Sequence, residues 1–201
     1  MNRKILMLIL ALAITLVLGS MGGFAETAEE PVRKDIIDTD AGADDASALI
    51  APENNLRLST TLDDDVRAKL IRAAIDNQEH SYAPYSKYNV SAAVLMDSGV
   101  VYTGVNVENA SYPAGICAER NAIFHAVQCG ERRIVAIAIV GGPNYEIHDY
   151  CAPCGICRQV MREFCVPEDM RVIFAKSVDD YMEMTLGALL PQSFGPEALE
   201  K

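Results

Sequence analysis

Residues 134–140 read Ile-Val-Ala-Ile-Ala-Ile-Val, seven positions without a polar atom in a side chain, five of them β-branched. Such a run suits a central strand covered on both faces, and a chain that contains one must supply the layers that cover it. The surrounding residues supply them. Positions 63–79 read as an amphipathic helix, with Val66, Leu70, Ala73 and Ala74 on one stripe and acidic residues crowding its start. Ser81-Tyr82-Ala83-Pro84-Tyr85 breaks that helix. Residues 90–96 and 100–107 are strand-like on either side of the turn Asp97-Ser98-Gly99. Residues 118–128 are helical up to Gly130, 155–164 form a further helix, and 170–175 a further strand. Strands alternating with helices predict an α/β sandwich with a mixed sheet. With 201 residues, half of them hydrophobic, the chain has room for one ordinary packed domain.

Charge narrows the partners. The net charge is −11, and residues 59–201 hold 12 Lys and Arg against 19 Asp and Glu. Gripping DNA or RNA requires basic side chains to replace counterions along the phosphates, so this balance excludes a nucleic-acid partner and favours a small substrate. The first 58 residues read separately. Arg3 and Lys4 precede an apolar, uncharged run over 5–18, and Gly23-Phe24-Ala25 follows with small residues, the pattern of a secretory signal peptide over 1–25. The run is short for a membrane span, but no charge appears before Glu26, so an uncleaved membrane anchor is the alternative. Residues 26–58 read as linker. Within them Asp38, Asp40, Asp44 and Asp45 cluster after a short apolar stretch, a set of hard oxygens suited to calcium. This segment resembles the opening motif of inosine–uridine nucleoside hydrolases over about twenty residues. A lone strand cannot bury its face or hold a metal rigidly, so it is read as a truncated remnant without activity.

The chemistry lies in two motifs that each open a helix, Cys117-Ala118-Glu119-Arg120 and Pro153-Cys154-Gly155-Ile156-Cys157-Arg158. Unpaired N–H groups at a helix start stabilise thiolates. Cys154 and Cys157 lie one turn apart and can share an ion, with Cys117 as a third sulfur. Three protein ligands leave zinc an open position for water, the mark of a catalytic site. Glu119, two residues after a ligand, is placed to face that water and move protons. Arg120 and Arg158 are expected to offset the negative sulfurs. Two other readings stay open: a redox pair, and a structural zinc whose fourth position is closed by Cys151. A structural site, however, has no use for the carboxylate at a helix start. Cys129 and Cys165 are expected to be packed near helix ends.

The order of these motifs resembles the small, homotetrameric type of cytidine deaminase. The resemblance spans 63–199 and includes Tyr82-Ala83-Pro84-Tyr85-Ser86-Lys87, Asn106-Val107-Glu108-Asn109-Ala110-Ser111-Tyr112 and Leu189-Leu190-Pro191-Gln192-Ser193-Phe194. The general zinc-deaminase signature includes such a three-cysteine form, with a glutamate that is not a ligand. The resemblance implies a three-layer α/β/α sandwich with a mixed five-stranded sheet over 59–201, one zinc per subunit, and deamination of cytidine and deoxycytidine in pyrimidine salvage. It implies that Asn106 and Glu108 hold the ribose 3′-hydroxyl, and that Glu119 and the Ala118 backbone read the pyrimidine edge. It also implies that Tyr88 binds the base and that Phe194 reaches a neighbour's pocket within a homotetramer. Tyr112 is expected to shape the pocket. Tyr88 and Ser91 depart from the family's usual Phe and Gly; the added hydroxyl of Tyr88 needs a partner, and Ser91 adds bulk. The leader implies export, whereas the family normally works in the cytosol.

Overall fold

The computed structural model describes residues 55–199. The leader and the aspartate cluster at 38–45 lie outside the described residues. Helix α1 runs Asp64–Asn77, and Asp63 caps it by accepting the Val66 N–H at 2.9 Å. Asp64 and Asp65 in the first turn meet the positive end of the helix dipole. Strand β1 (Tyr88–Met96) turns back through Gly99, at φ +82°, into β2 (Val101–Val105). Leu58 N–H donates to Gly99 O and Val101 N–H to Leu56 O, both at 2.8 Å, so 56–58 already lie along this hairpin.

Strand β3 (Ile134–Pro143) occupies the centre of a five-stranded sheet ordered β2-β1-β3-β4-β5. It pairs antiparallel with β1 and parallel with β4 (Arg171–Ala175), and β5 (Tyr181–Thr185) closes the far edge antiparallel to β4. The mixed sheet therefore has the five strands implied by the resemblance. On β3 the alternation of a strand decides which side chain feeds which layer. Ala136, Ala138 and Val140 meet Leu70, Ile71 and Ala74 of α1. Ile137 and Ile139 face the opposite way, in one cluster with Ile123 and Ala126 of α2 (Ala118–Gln128) and Met161 of α3 (Gly155–Glu163). This arrangement is the expected three-layer sandwich. A short helix α4 (Leu186–Leu189) follows β5. Among the described residues no helix is long and apolar enough to cross a membrane.

The contact that sets α2 on the sheet is made through Gly104 of β2. A Cβ at that position would lie 2.3 Å from the Ala122 nitrogen and 2.8 Å from the Ala118 oxygen, so strand and helix backbones touch. Neither atom can yield without moving the helix. Gly104→Ala is expected to lower the unfolding free energy by about 3 kcal/mol, the upper range for overpacking. Urea denaturation reads the change, and an unaltered midpoint would show that α2 shifts freely.

Candidate active site

The two motif-bearing helices start next to each other. Cys117 is the N-cap of α2 and Cys154 the N-cap of α3, both with extended backbone, and their Sγ atoms lie 4.0 Å apart. Cys157, in the first turn of α3, brings its Sγ to 3.4 Å from that of Cys154. The three sulfurs all lie within 4.8 Å of one another. Zinc with bonds of about 2.3 Å to sulfur spans tetrahedral edges of about 3.8 Å, so this trio fits the ion. Its electrostatics suit a cation too. The Cys117 thiol is pulled down to about 5, first by its hydrogen bond with Cys157 and then by Arg120, whose Nη2 lies 3.8 Å from the sulfur. Cys157 is pushed up by the same shared proton.

Glu119 sits two residues beyond Cys117 in the first turn of α2, with only 4% of its surface exposed. Burial first, and the Cys117 charge next, raise its carboxyl above the usual carboxylate range, while a hydrogen bond from Cys157 lowers it. The carboxyl therefore stands beside the sulfurs. Glu119, Ala118, Cys117 and Cys154 line a cavity of about 650 Å³ together with Asn106 and Glu108. Tyr85 and Tyr112 also line it, their rings edge to face with centroids 6.2 Å apart.

Asn106 and Glu108 do more than present polar atoms. Asn106 Oδ1 accepts from Ser81 Oγ at 2.6 Å and from Val90 N–H at 2.8 Å, and its Nδ2 donates to Tyr88 O at 2.8 Å. One amide hydrogen is left over. Glu108 Oε2 accepts the N–H groups of Tyr85 and Ser86 at 2.9 and 3.2 Å. With the Ser86 hydroxyl foremost, these bonds hold its carboxyl below the ordinary range. Both residues thus fold the segment around Tyr85 and keep capacity for a ligand.

Three expected residues sit elsewhere than the pocket or the sulfurs. Arg158 does not face the trio: its Nε donates to Pro153 O at 2.8 Å and its Nη1 to Leu189 O at 2.9 Å, so it ties backbone together while Arg120 meets the sulfur. Tyr88 is not among the residues lining the cavity. Phe194 lies outside the cavity of its own chain, with its ring exposed and its carbonyl held by Gln159 Nε2 at 3.0 Å. Ser91 fills its space without reaching the cavity, accepting from Asn77 Nδ2 at 3.1 Å and donating to Gly104 O at 3.4 Å. Cys151 lines the cavity but lies outside the sulfur trio. Cys129 and Cys165 pack against the α2–α3 side of the core.

A family model described as the cytidine and deoxycytidylate deaminase zinc-binding region matches residues 65–176. The chain belongs to this deaminase family. Among its relatives, a cytidine deaminase of Halalkalibacterium halodurans is 45% identical over 131 residues, 65% of this chain and 96% of that protein. A cytidine deaminase of Sporosarcina psychrophila is 41% identical over 131 residues, 65% of this chain and 93% of that one. The crystal structure of the Burkholderia pseudomallei cytidine deaminase superposes with a TM-score of 0.57 at 44% identity, covering 63% of this chain and 97% of that one. The sulfur trio and the sandwich thus stand within a zinc-binding deaminase family.

Proposed function

We propose that this chain is a hydrolytic deaminase that converts cytidine and deoxycytidine to the corresponding uridines and ammonia in pyrimidine salvage, with one zinc per subunit. The observation that carries this reading is the buried carboxyl of Glu119 beside three sulfurs that fit zinc, at one end of a nucleoside-sized cavity. Cys117, Cys154 and Cys157 would hold the ion, whose Lewis acidity makes water a nucleophile near neutral pH. Glu119 acts as the base that takes the water proton and carries it to N3 of the ring, which makes C4 electrophilic. The oxygen adds at C4, Glu119 takes the proton still on that oxygen and passes it to the amino group, and the C4–N bond breaks as ammonia leaves and the C4 carbonyl of uridine forms. Arg120 stabilises the Cys117 thiolate. Asn106 and Glu108 receive the ribose 3′-hydroxyl, a group cytidine and deoxycytidine share, which is why both are expected to react.

The relatives' names and the acidic surface favour a free nucleoside over a polynucleotide. The exposed ring of Phe194 suits a homotetramer in which it enters a neighbouring pocket. The test is ammonia release from cytidine and deoxycytidine by the full chain, with zinc quantified on the same sample. Release of ammonia with zinc near one per chain is expected. Bound zinc without release from either nucleoside would leave a metal-stabilised binding module instead.

A further inference from the structure

Among the described residues six polar or charged residues are buried, and three of them, Gln78, Ser81 and Asn89, meet behind the ribose side of the cavity. They are 4%, 7% and 3% exposed, and neither Ser81 nor Asn89 lines the cavity itself. Burying such groups is costly unless their hydrogen bonds are made, so the bonds they make are the first clue to their part. Gln78 Nε2 donates to Asn89 O at 2.9 Å, which ties β1 to the 3₁₀ turn that follows α1. Asn89 Nδ2 donates to Ser81 Oγ at 3.1 Å, and Ser81 Oγ donates to Asn106 Oδ1 at 2.6 Å. An amide nitrogen only donates, so Asn89 occupies the acceptor side of the Ser81 hydroxyl and the single hydroxyl hydrogen goes to Asn106. The Ser81 backbone is held as well, its N–H by Gln78 O at 3.0 Å and its carbonyl by the Tyr145 hydroxyl at 3.3 Å. The hydroxyl therefore meets Asn106 from a fixed point.

On Asn106 this decides polarity. Its Oδ1 also takes Val90 N–H at 2.8 Å, so with Ser81 both lone pairs of that oxygen are occupied. Its Nδ2 gives one hydrogen to Tyr88 O at 2.8 Å and keeps the other. Toward the cavity Asn106 can donate but not accept. A 3′-oxygen beside it must take that hydrogen, and the hydrogen of the 3′-hydroxyl then needs another acceptor. Glu108, whose carboxylate lines the same cavity, is one. Hydrogen bonds in a chain also polarise one another, so the pull of Ser81 on Oδ1 makes the remaining Nδ2–H a better donor.

We infer that Ser81 and Asn89 are positioning residues for the ribose: they hold Asn106 as a pure donor to the 3′-oxygen and leave the 3′-hydroxyl hydrogen to Glu108. This rests on the deaminase reading above and on its assignment of Asn106 and Glu108 to the 3′-hydroxyl. Neither Ser81 nor Asn89 touches the substrate; both act through the amide of Asn106.

Steady-state kinetics of the zinc-loaded wild type, Ser81→Ala and Asn89→Ala, with cytidine and with 3′-deoxycytidine, test the inference. In Ser81→Ala, kcat/KM for cytidine is expected to fall about three- to tenfold, the equivalent of one hydrogen bond, mainly through KM. With 3′-deoxycytidine the same variant is expected to match the wild type within about twofold, because the group that Asn106 holds is gone and the two changes are then coupled. Asn89→Ala acts one bond further away, so a smaller fall is expected, again confined to cytidine; it carries the comparison alone if Ser81→Ala does not fold. Equal falls on both nucleosides would make the two residues merely structural, and no fall on cytidine would give them no part in binding; either result overturns the inference. If the wild type handles cytidine and 3′-deoxycytidine equally well, the ribose assignment fails and the inference with it. If the wild type releases no ammonia from cytidine, the deaminase reading itself fails; if it does and the variants match it, only the roles of Ser81 and Asn89 fail.

Discussion

Glu119→Gln is expected to retain its zinc and to lose turnover by at least about 100-fold, and by as much as about 10,000-fold if the carboxylate serves both proton transfers. The amide is nearly the same size and fills the same buried place at the start of α2, so the packing there is not disturbed. What it loses is the ability to accept a proton. The native site readies the carboxyl for that task by burial, which disfavours its charge and raises its proton affinity above that of a solvated glutamate. Its position, lining the same cavity as Cys117 and Cys154 yet outside the three-sulfur set, separates proton transfer from metal binding. The variant should therefore have zinc unchanged by elemental analysis and kcat greatly reduced. A wild-type rate would remove Glu119 from the chemistry, and loss of zinc would make it a ligand.

How far such a site can be read in advance depends on whether local or distant atoms direct each side chain. The α2 motif was legible because everything it needs is local. Cys117 and Glu119 keep their relation on any helix that starts there, and the helix does run Ala118–Gln128. The Cys154–Cys157 pair was legible for the same reason. Cys151 was not, although it continues the same three-residue spacing. It precedes Pro153 and the N-cap, so no helix directs it; it packs instead against Gly141, ten residues upstream, beside Val90 on a different strand. Arg158 failed in a related way. Its charge suggested the sulfurs, but carbonyls left by the turn at Pro153 and by Leu189 took its donors. For the fold, the pattern of β3 carried both faces of the sandwich at once. Strand β5 carried no such pattern, because as an edge strand it is only partly buried and shows no clean alternation.

The metal prediction turns on Cys157. It is fully buried, lies in the first turn of α3, and belongs to the same core cluster as Ile137 and Met161, so its sulfur is at once a ligand and a packing atom. Cys157→Ser keeps the shape within one atom but replaces a soft thiolate by a hydroxyl that binds zinc weakly and does not ionise near neutral pH. Two sulfurs are then left, one of them, Cys154, exposed. Zinc per chain is expected to fall to a small fraction of the wild-type content, and deamination with it. Stability should follow, because an ion that binds only the folded chain adds its binding energy to folding. At free zinc of about 1,000 times the dissociation constant this linkage is worth about 4 kcal/mol. For a chain of this size that corresponds to a fall of roughly 8–16 °C in Tm. Stripping the wild type with a chelator should lower its Tm by a similar amount, and zinc should restore it, whereas Cys157→Ser should respond to neither. Cys151→Ser provides the contrast. If the fourth cysteine only lines the cavity, this variant keeps its zinc and its Tm shift; if it loses both, the open position next to Glu119 does not exist and the site is a closed structural one.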